Sequence, residues 1–442
     1  MKMTIGAAAV LAAFGSVASS PATAGEVDEL KALVKQLQQR VEQLETKKAE
    51  KPAPAPAAVD APAGTKYVEA GTMPGSFKVP GTETSMKIYG YAQLDVTHDM
   101  KGRGSDISNN DWASFLPVQP LDNGGVSGKS SKGQTFATAR TSRIGFQTST
   151  PIKDGALTTK VEGDFNAPNP FQGELATNST GFRLRHAYGE FGNWLVGQTW
   201  STYMDLNSLP DTVDFNPPGG VTMIRQPMVR YSIPMGSSKL ALAVENPQSL
   251  TFSGQDFDKT PDFIANWTFA SKTATVALSG VSHEYKNSLH STRGYGLSLG
   301  TSLKFGGDTL VASVQGGDGI GRYMFNSIVQ GAIDTGSRIE TWKAWGWQAG
   351  FTHVWNPTLR SNILGGQTFF TKNDAANTAQ RALGSPDLYP NKRIDQASVN
   401  TFYTYDKNIE LGLEYAWGKR RTFNAETGTQ SRINATVHYN FF

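Results

Sequence analysis

The sequence contains no cysteine at all, so disulfides, thiolate metal sites and cysteine nucleophiles have no place in its chemistry. Beyond the first two dozen residues no run approaches the roughly 18 consecutive apolar residues that a spanning helix requires, and the mean hydropathy is −0.37. A helical membrane protein is excluded on that ground. Charge is also scarce, at 18% of residues, and nearly balanced at +3, so no nucleic-acid partner is expected. Histidine is limited to His98, His186, His283, His290, His353 and His438. None falls in an HExxH arrangement, and neither a GxSxG nucleophile elbow nor a phosphate loop occurs, so no catalytic residue, metal ligand or cofactor is expected.

Glycine and the aromatics are what the chain has in quantity: 46 Gly, 23 Phe, 14 Tyr and 9 Trp. That balance suits a transmembrane barrel, whose strands alternate apolar and polar faces and average out in any hydropathy window. Residues 1–24 carry Lys2, an apolar stretch from Ile5 to Val17 and then Ala22-Thr23-Ala24, the pattern of a cleavable signal peptide. Cleavage before Gly25 leaves a mature charge of +2 once Lys2 is gone.

Residues 25–48 form a second region. Val27, Leu30, Val34, Leu37, Val41 and Leu44 repeat at spacings of three then four, which predicts a short α-helical coiled coil. Glu26 with Lys31, and Arg40 with Glu45, take the flanking positions that pair between parallel helices. An amphipathic helix docked on another surface is the competing reading, and Leu33 widens the apolar face enough to leave the strand number open. Residues 49–84 are a proline- and alanine-rich linker and a lead-in, with PAPAPAA too poor in apolar bulk to pack.

Residues 85–442 switch to period two. Ile88, Gly90, Ala92, Leu94 and Val96 alternate with Lys87, Tyr89, Tyr91, Gln93 and Asp95, and Ile433 to Phe441 repeat the pattern at the far end. Between them lie strands near 137–148, 156–165, 181–191, 193–200, 225–233, 239–245, 262–270, 274–284, 293–304, 308–316, 343–354, 359–371, 397–405 and 408–418, making 16. Tight links at Gly192, Pro234–Ser238, Ser271–Thr273, Phe305–Gly307, Asn356–Thr358 and Asp406–Lys407 alternate with long connections at 98–136, 201–224, 317–342 and 372–396. Such segregation predicts an all-β transmembrane fold, a 16-stranded antiparallel outer-membrane barrel with turns in the periplasm and loops outside. Outward aromatics such as Trp267, Trp345, Trp347, Tyr415 and Trp417 fit lipid better than water.

Inward parity in the early strands collects positive charge. Arg143, Lys160, Arg183, Arg185 and Arg230 point that way, with Arg140 and Arg225 at strand ends beside them. Facing lipid would cost each cation roughly 2 to 4 kcal/mol at mid-depth, so they are assigned to the lumen. The 201–224 connection carries Asp205, Asp211 and Asp214 and is long enough to fold back as a constriction loop. A basic wall facing an acidic loop would polarise the pore. Glu162, Asp164 or the loop acids could instead pair with individual arginines and stiffen the wall.

The stretches GSFKVPGTETSMKIYGYAQLDVTHD, TARTSRIGFQTST, GFRLRHAYGEFGNWLVGQTWSTYMDLNSLPDTVDF and RQPMVRYSI resemble the DcaP-like family of outer-membrane porins, associated with dicarboxylic acid uptake. The resemblance spans coil, linker and barrel and is most specific between GFRLRHAYGEFGN and GQTWST. It implies a homotrimer of 16-stranded barrels in outer-membrane lipid, with a periplasmic coiled coil and small anionic solutes such as dicarboxylates. Arg143, Arg183, Arg185, Arg225 and Arg230 are the anion-contacting candidates it carries over. Two other readings stay open: a general, weakly selective porin, and a structural protein whose coil engages peptidoglycan.

Overall fold

The computed structural model describes residues 35, 39, 68–102, 133–167, 178, 180–325, 327, 330–384 and 388–441. The chain divides into two units, Met1–Tyr67 and Val68–Phe442. In the first, only Lys35 and Gln39 are described, both helical and exposed. The expected signal peptide, coiled coil and proline-rich linker otherwise lie outside the described residues.

The second unit is a closed antiparallel barrel. Its strands are β1 (Ser85–Lys101), β2 (Arg143–Ile152), β3 (Gly155–Ala167), β4 (Gly181–Phe191), β5 (Trp194–Trp200) and β6 (Arg225–Met235). They continue as β7 (Ser238–Glu245), β8 (Asp262–Ala270), β9 (Ala274–Lys286), β10 (Ser291–Phe305) and β11 (Asp308–Asp318). The last five are β12 (Lys343–Asn356), β13 (Leu359–Phe370), β14 (Asn391–Asp406), β15 (Ile409–Thr422) and β16 (Thr427–Asn440). Each pairs with the next, and β1 pairs with β16 from Tyr91 opposite Asn440 to Lys101 opposite Ser431, which closes the sheet and removes its edges.

Two- and three-residue turns join every second pair at one end, where Gly192 (φ 55°) and Gly306 (φ 62°) supply left-handed backbone. Both termini of the barrel lie at this turn end, and the strand ends that the longer connections join lie at the other. Burial is inverted relative to a water-soluble sheet. Leu297 and Ile363 are 67% and 65% exposed on the outer face, while Gln315, Gln348, Asn400 and Glu414 are buried inside. Only a hydrocarbon surrounding makes that arrangement favourable, because exposed apolar area carries no penalty there.

Three local features differ from the alternation pattern. The 137–148 strand is broken: Gln134–Thr138 pairs with the upper part of β1 and Arg143–Ile152 with the lower part. At the break, Thr141 Oγ1 donates to Asp95 (2.5 Å) and Gln93 N donates to Ser142 Oγ (3.0 Å), so side chains replace ladder bonds. The hairpin of β15 and β16 extends well above the expected ends, held inside by Arg432 Nε on Asp99 (2.7 Å) and Arg420 Nε on Asn391 (2.6 Å). Both faces are polar in that extension, so no alternation marked it. Finally, the 372–396 connection contains helix α1 (Asp374–Ala382), N-capped by Asn373, with Asn377 accepting from the buried Trp342 indole at 2.8 Å.

Candidate constriction site

Residues 201–224 leave the top of β5, fold into the lumen and return to β6. The path is bonded to the inner wall throughout. Thr202 N donates to Glu245 on β7 (2.7 Å), and the carbonyl of Ser208 accepts from Gln348 on β12 (3.0 Å). The amides of Val213 and Asp214 donate to the two oxygens of Glu414 on β15 (3.2 Å each). Gly219 N donates to Gln396 on β14 (2.6 Å), and Thr222 Oγ1 to Gln315 on β11 (3.0 Å). A buried loop requires partners for its backbone, and wall carboxylates and amides at inward parity provide them.

Glycines on those strands make the room. A β-carbon at Gly350 would lie 2.5 Å from Pro210 Cβ, one at Gly346 2.6 Å from Gly220 Cα, and one at Gly412 2.8 Å from Val213 Cγ2. The wall is therefore recessed where the loop lies against it.

The three loop acids are tied to the loop's own support. Asp205 caps the short turn Leu206–Ser208 through Asn207 N (3.0 Å). Asp211 accepts from Arg360 Nε on β13 (2.7 Å), whose other nitrogens hold Glu410. Asp214 accepts from Asn216 N (3.0 Å) and Asn434 Nδ2 (3.3 Å). Asp205 and Asp211 thus have their partners on the loop itself and on β13. Phe215 reaches across, with the Arg183 guanidinium 5.4 Å and the Arg185 guanidinium 6.0 Å from its ring centre.

Opposite the anchored loop stand β2–β4. Asp164 receives Arg183 through Nε (2.9 Å) and Nη2 (2.8 Å), a bidentate clasp, and also Arg185 Nη1 (2.8 Å). Glu162 receives Arg185 Nε (2.8 Å) and the Tyr89 hydroxyl (3.0 Å), with Arg143 and Lys160 each 3.5 Å away. A bulge between Glu162 and Gly163 turns both Arg185 and His186 inward, which lets Arg185 bridge the two carboxylates. Arg143 rests on Tyr91 (5.1 Å) and Lys160 on Tyr89 (5.3 Å).

Arg225, at the base of the loop, stacks 3.4 Å from the Trp200 ring centre and has no ion-pair partner among the described residues. It lies within electrostatic reach of Arg143, Arg183 and Arg185. Five cations around two carboxylates leave an excess of three positive charges on this wall. Arg185 is only 5% exposed and acts as a strut, whereas Arg183 is 34% exposed and Lys160 26%. Arg230 stands apart, nearer the turn end, beside Glu190 (3.8 Å).

Residues 69–441 match the model of the DcaP outer membrane protein family. No curated protein sequence matches the chain. Among solved structures, the outer membrane channel DcaP of Acinetobacter baumannii superposes with a TM-score of 0.72 at 26% identity, covering 83% of this chain and 100% of that one. The anion-selective porin from Comamonas acidovorans (TM-score 0.54, 13% identity, 81% and 100% covered) shares the fold. So does OmpF of Salmonella typhi (0.52, 12%, 81% and 98%). These neighbours are outer-membrane channels. The chain belongs to the DcaP outer membrane protein family.

Proposed function

We propose that this outer-membrane channel passes small hydrophilic solutes by diffusion and prefers anions, dicarboxylates among them. The observation that carries this reading is the asymmetry of the constriction. On the loop side, Arg360 offsets one of the two negative charges of Asp211 and Glu410, and Asp214 is hydrogen-bonded into the wall. On the β2–β4 side, cations outnumber carboxylates. A permeating anion meets Arg143, Lys160, Arg183 and Arg225 across from the anchored loop. Arg183 and Arg225 are the pair we assign to solute contact, with Arg185 as the residue that positions them. Arg suits this task because it never loses its charge and its planar fork matches a carboxylate.

A dicarboxylate can touch two of these cations at once, and a monocarboxylate or neutral sugar cannot. Retention must remain weak, since a tightly held solute blocks the pore it enters. Brief, millimolar-range current interruptions by succinate, absent with acetate or glucose, are the expected signature. They should weaken steeply as salt is raised, because screening shortens to about 3 Å at 1 M. Equal responses to succinate and glucose would favour the general, weakly selective porin, for which the paired Glu162 and Asp164 speak. The homotrimer and the periplasmic coiled coil over residues 25–48 are part of the same proposal, as is contact of that coil with peptidoglycan.

A further inference from the structure

The outer face of β12–β15 carries, at its loop end, a group of charges that a lipid-facing surface has no use for unless something covers them. On this face Arg393 of β14 stands directly opposite Arg421 of β15, and Asp395 directly opposite Lys419. Like charges paired across strands are destabilising. Here both guanidinium groups share one carboxylate: Arg393 Nε donates to Asp395 Oδ1 (2.5 Å), and Arg421 Nη1 donates to Asp395 Oδ2. Gln367 Nε2 adds a third bond to Asp395 (2.8 Å), so that carboxylate is nearly buried and saturated.

Two guanidinium groups are therefore gathered on a single anion, with the remaining nitrogens of each carrying no hydrogen bond among the described residues. Lys419 on β15 and, three strands away, Lys343 on β12 add charge to the same band without an ion pair among those residues. Beside them Trp345 and Phe369 stack at 4.3 Å, and Arg393 lies 5.1 Å from the centre of the Phe369 ring.

Height decides what meets this band. Arg393 and Tyr405 are twelve residues apart on β14, about 40 Å along the strand and roughly 30 Å in height at a tilt near 40°. The apolar girdle of such a barrel is about 25 Å tall, and Val399, Ile363 and Leu413 occupy it here. The Arg393–Arg421 pair thus sits just above the hydrocarbon, at the headgroup level of the loop-side leaflet. A phosphomonoester is the group whose charge and oxygen geometry match two converging guanidinium forks and a nearby ammonium.

We infer that Arg393 and Arg421, with Lys419, form a binding site on the outer wall for the phosphate of a phosphorylated lipid in the leaflet on the loop side. The site is separate from the lumen and owes nothing to solute passage. The full-length mature chain, refolded in mild detergent, would be mixed with bisphosphorylated lipid A or with its dephosphorylated form, and bound lipid counted by native mass spectrometry. The wild type should retain the bisphosphorylated form at least tenfold better. The uncharged variant Arg393→Gln/Asp395→Asn/Arg421→Gln should lose that difference while remaining heat-modifiable. The variant Arg393→Lys/Arg421→Lys, which keeps charge without the fork, should retain lipid at an intermediate level. Inorganic phosphate at equal concentration should not displace the lipid. Retention in the uncharged variant equal to that of the wild type, or retention indifferent to phosphorylation, would overturn the inference. So would displacement by inorganic phosphate, which would identify a free anion as ligand, or loss of oligomers with lipid retention unchanged, which would make this face a contact between copies.

Discussion

Asp211 in the inward loop lies 2.7 Å from Arg360 on β13, and the same guanidinium holds Glu410 at 2.6 Å while lying over the ring of Phe402. One cation therefore pins the loop and offsets one of the two negative charges on the side of the lumen away from the basic wall. Replacing Arg360 with Met should free both carboxylates and shift ion preference toward cations, read as a change in reversal potential under a salt gradient. Unchanged selectivity with unchanged conductance would show that the pair is an incidental surface contact of the kind worth little.

The recess under the loop gives a steric prediction. Gly350→Ala places a β-carbon against Pro210, and relief by small shifts should cost about 1 to 3 kcal/mol, as other overpacked sites do. The barrel ladder does not depend on that contact, so heat-modifiability should persist while single-channel conductance rises and becomes noisier. A variant with native conductance and noise would mean that the loop does not rest there.

Much of the barrel could be read from residue order alone, because a strand's side chains must alternate and lipid demands one apolar face. Strands such as 262–270 and 359–371 lie within a residue or so of their observed ends for that reason. The top of the β15–β16 hairpin escaped notice because Arg420 and Arg432 face inward while Lys419 and Arg421 face outward, and period two vanishes when both faces are polar. At the site, inward parity picked out Arg143, Lys160, Arg183 and Arg185 as neighbours. It did not separate struts from lumenal groups, since that depends on the bulge that turns Arg185 onto Glu162 and Asp164. The partners of the loop acids, Arg360 and Asn434, are distant in sequence and carry no local signal. Inward glycines at Gly346, Gly350 and Gly412 were the available clue that something packs against the wall.

Face assignment can be checked optically. Trp345 is exposed on the outer face at the loop end, Trp417 shares its outward parity on β15, and Tyr439 lies outward near the turn end. Amphipathic rings favour the interfacial belt. Variants keeping only Trp345 or Trp417 should be quenched by probes attached near the lipid headgroups. Quenching only by a water-soluble agent acting from the pore would invert the assignment.

For the proposed trimer, the coil is expected to contribute less than the barrel faces, because its seam offers only six apolar residues per chain, Val27, Leu30, Val34, Leu37, Val41 and Leu44. Deleting residues 26–51 should leave trimers in mild detergent with a lower dissociation temperature. Monomers alone after the deletion would place the association in the coil.

The basic wall is the centre of the account, and ion selectivity reads it most directly. Arg183→Ser/Arg225→Ser removes two lumenal cations while Asp164 keeps Arg185, so the wall is not left with an unpaired buried carboxylate. Reversal potentials in a tenfold potassium chloride gradient should report anion preference for the wild type. The double variant should shift toward cations and lose its interruptions by succinate. If it keeps both the wild-type reversal potential and the succinate interruptions, these arginines do not set selectivity and the anion-preferring reading of the pore is wrong.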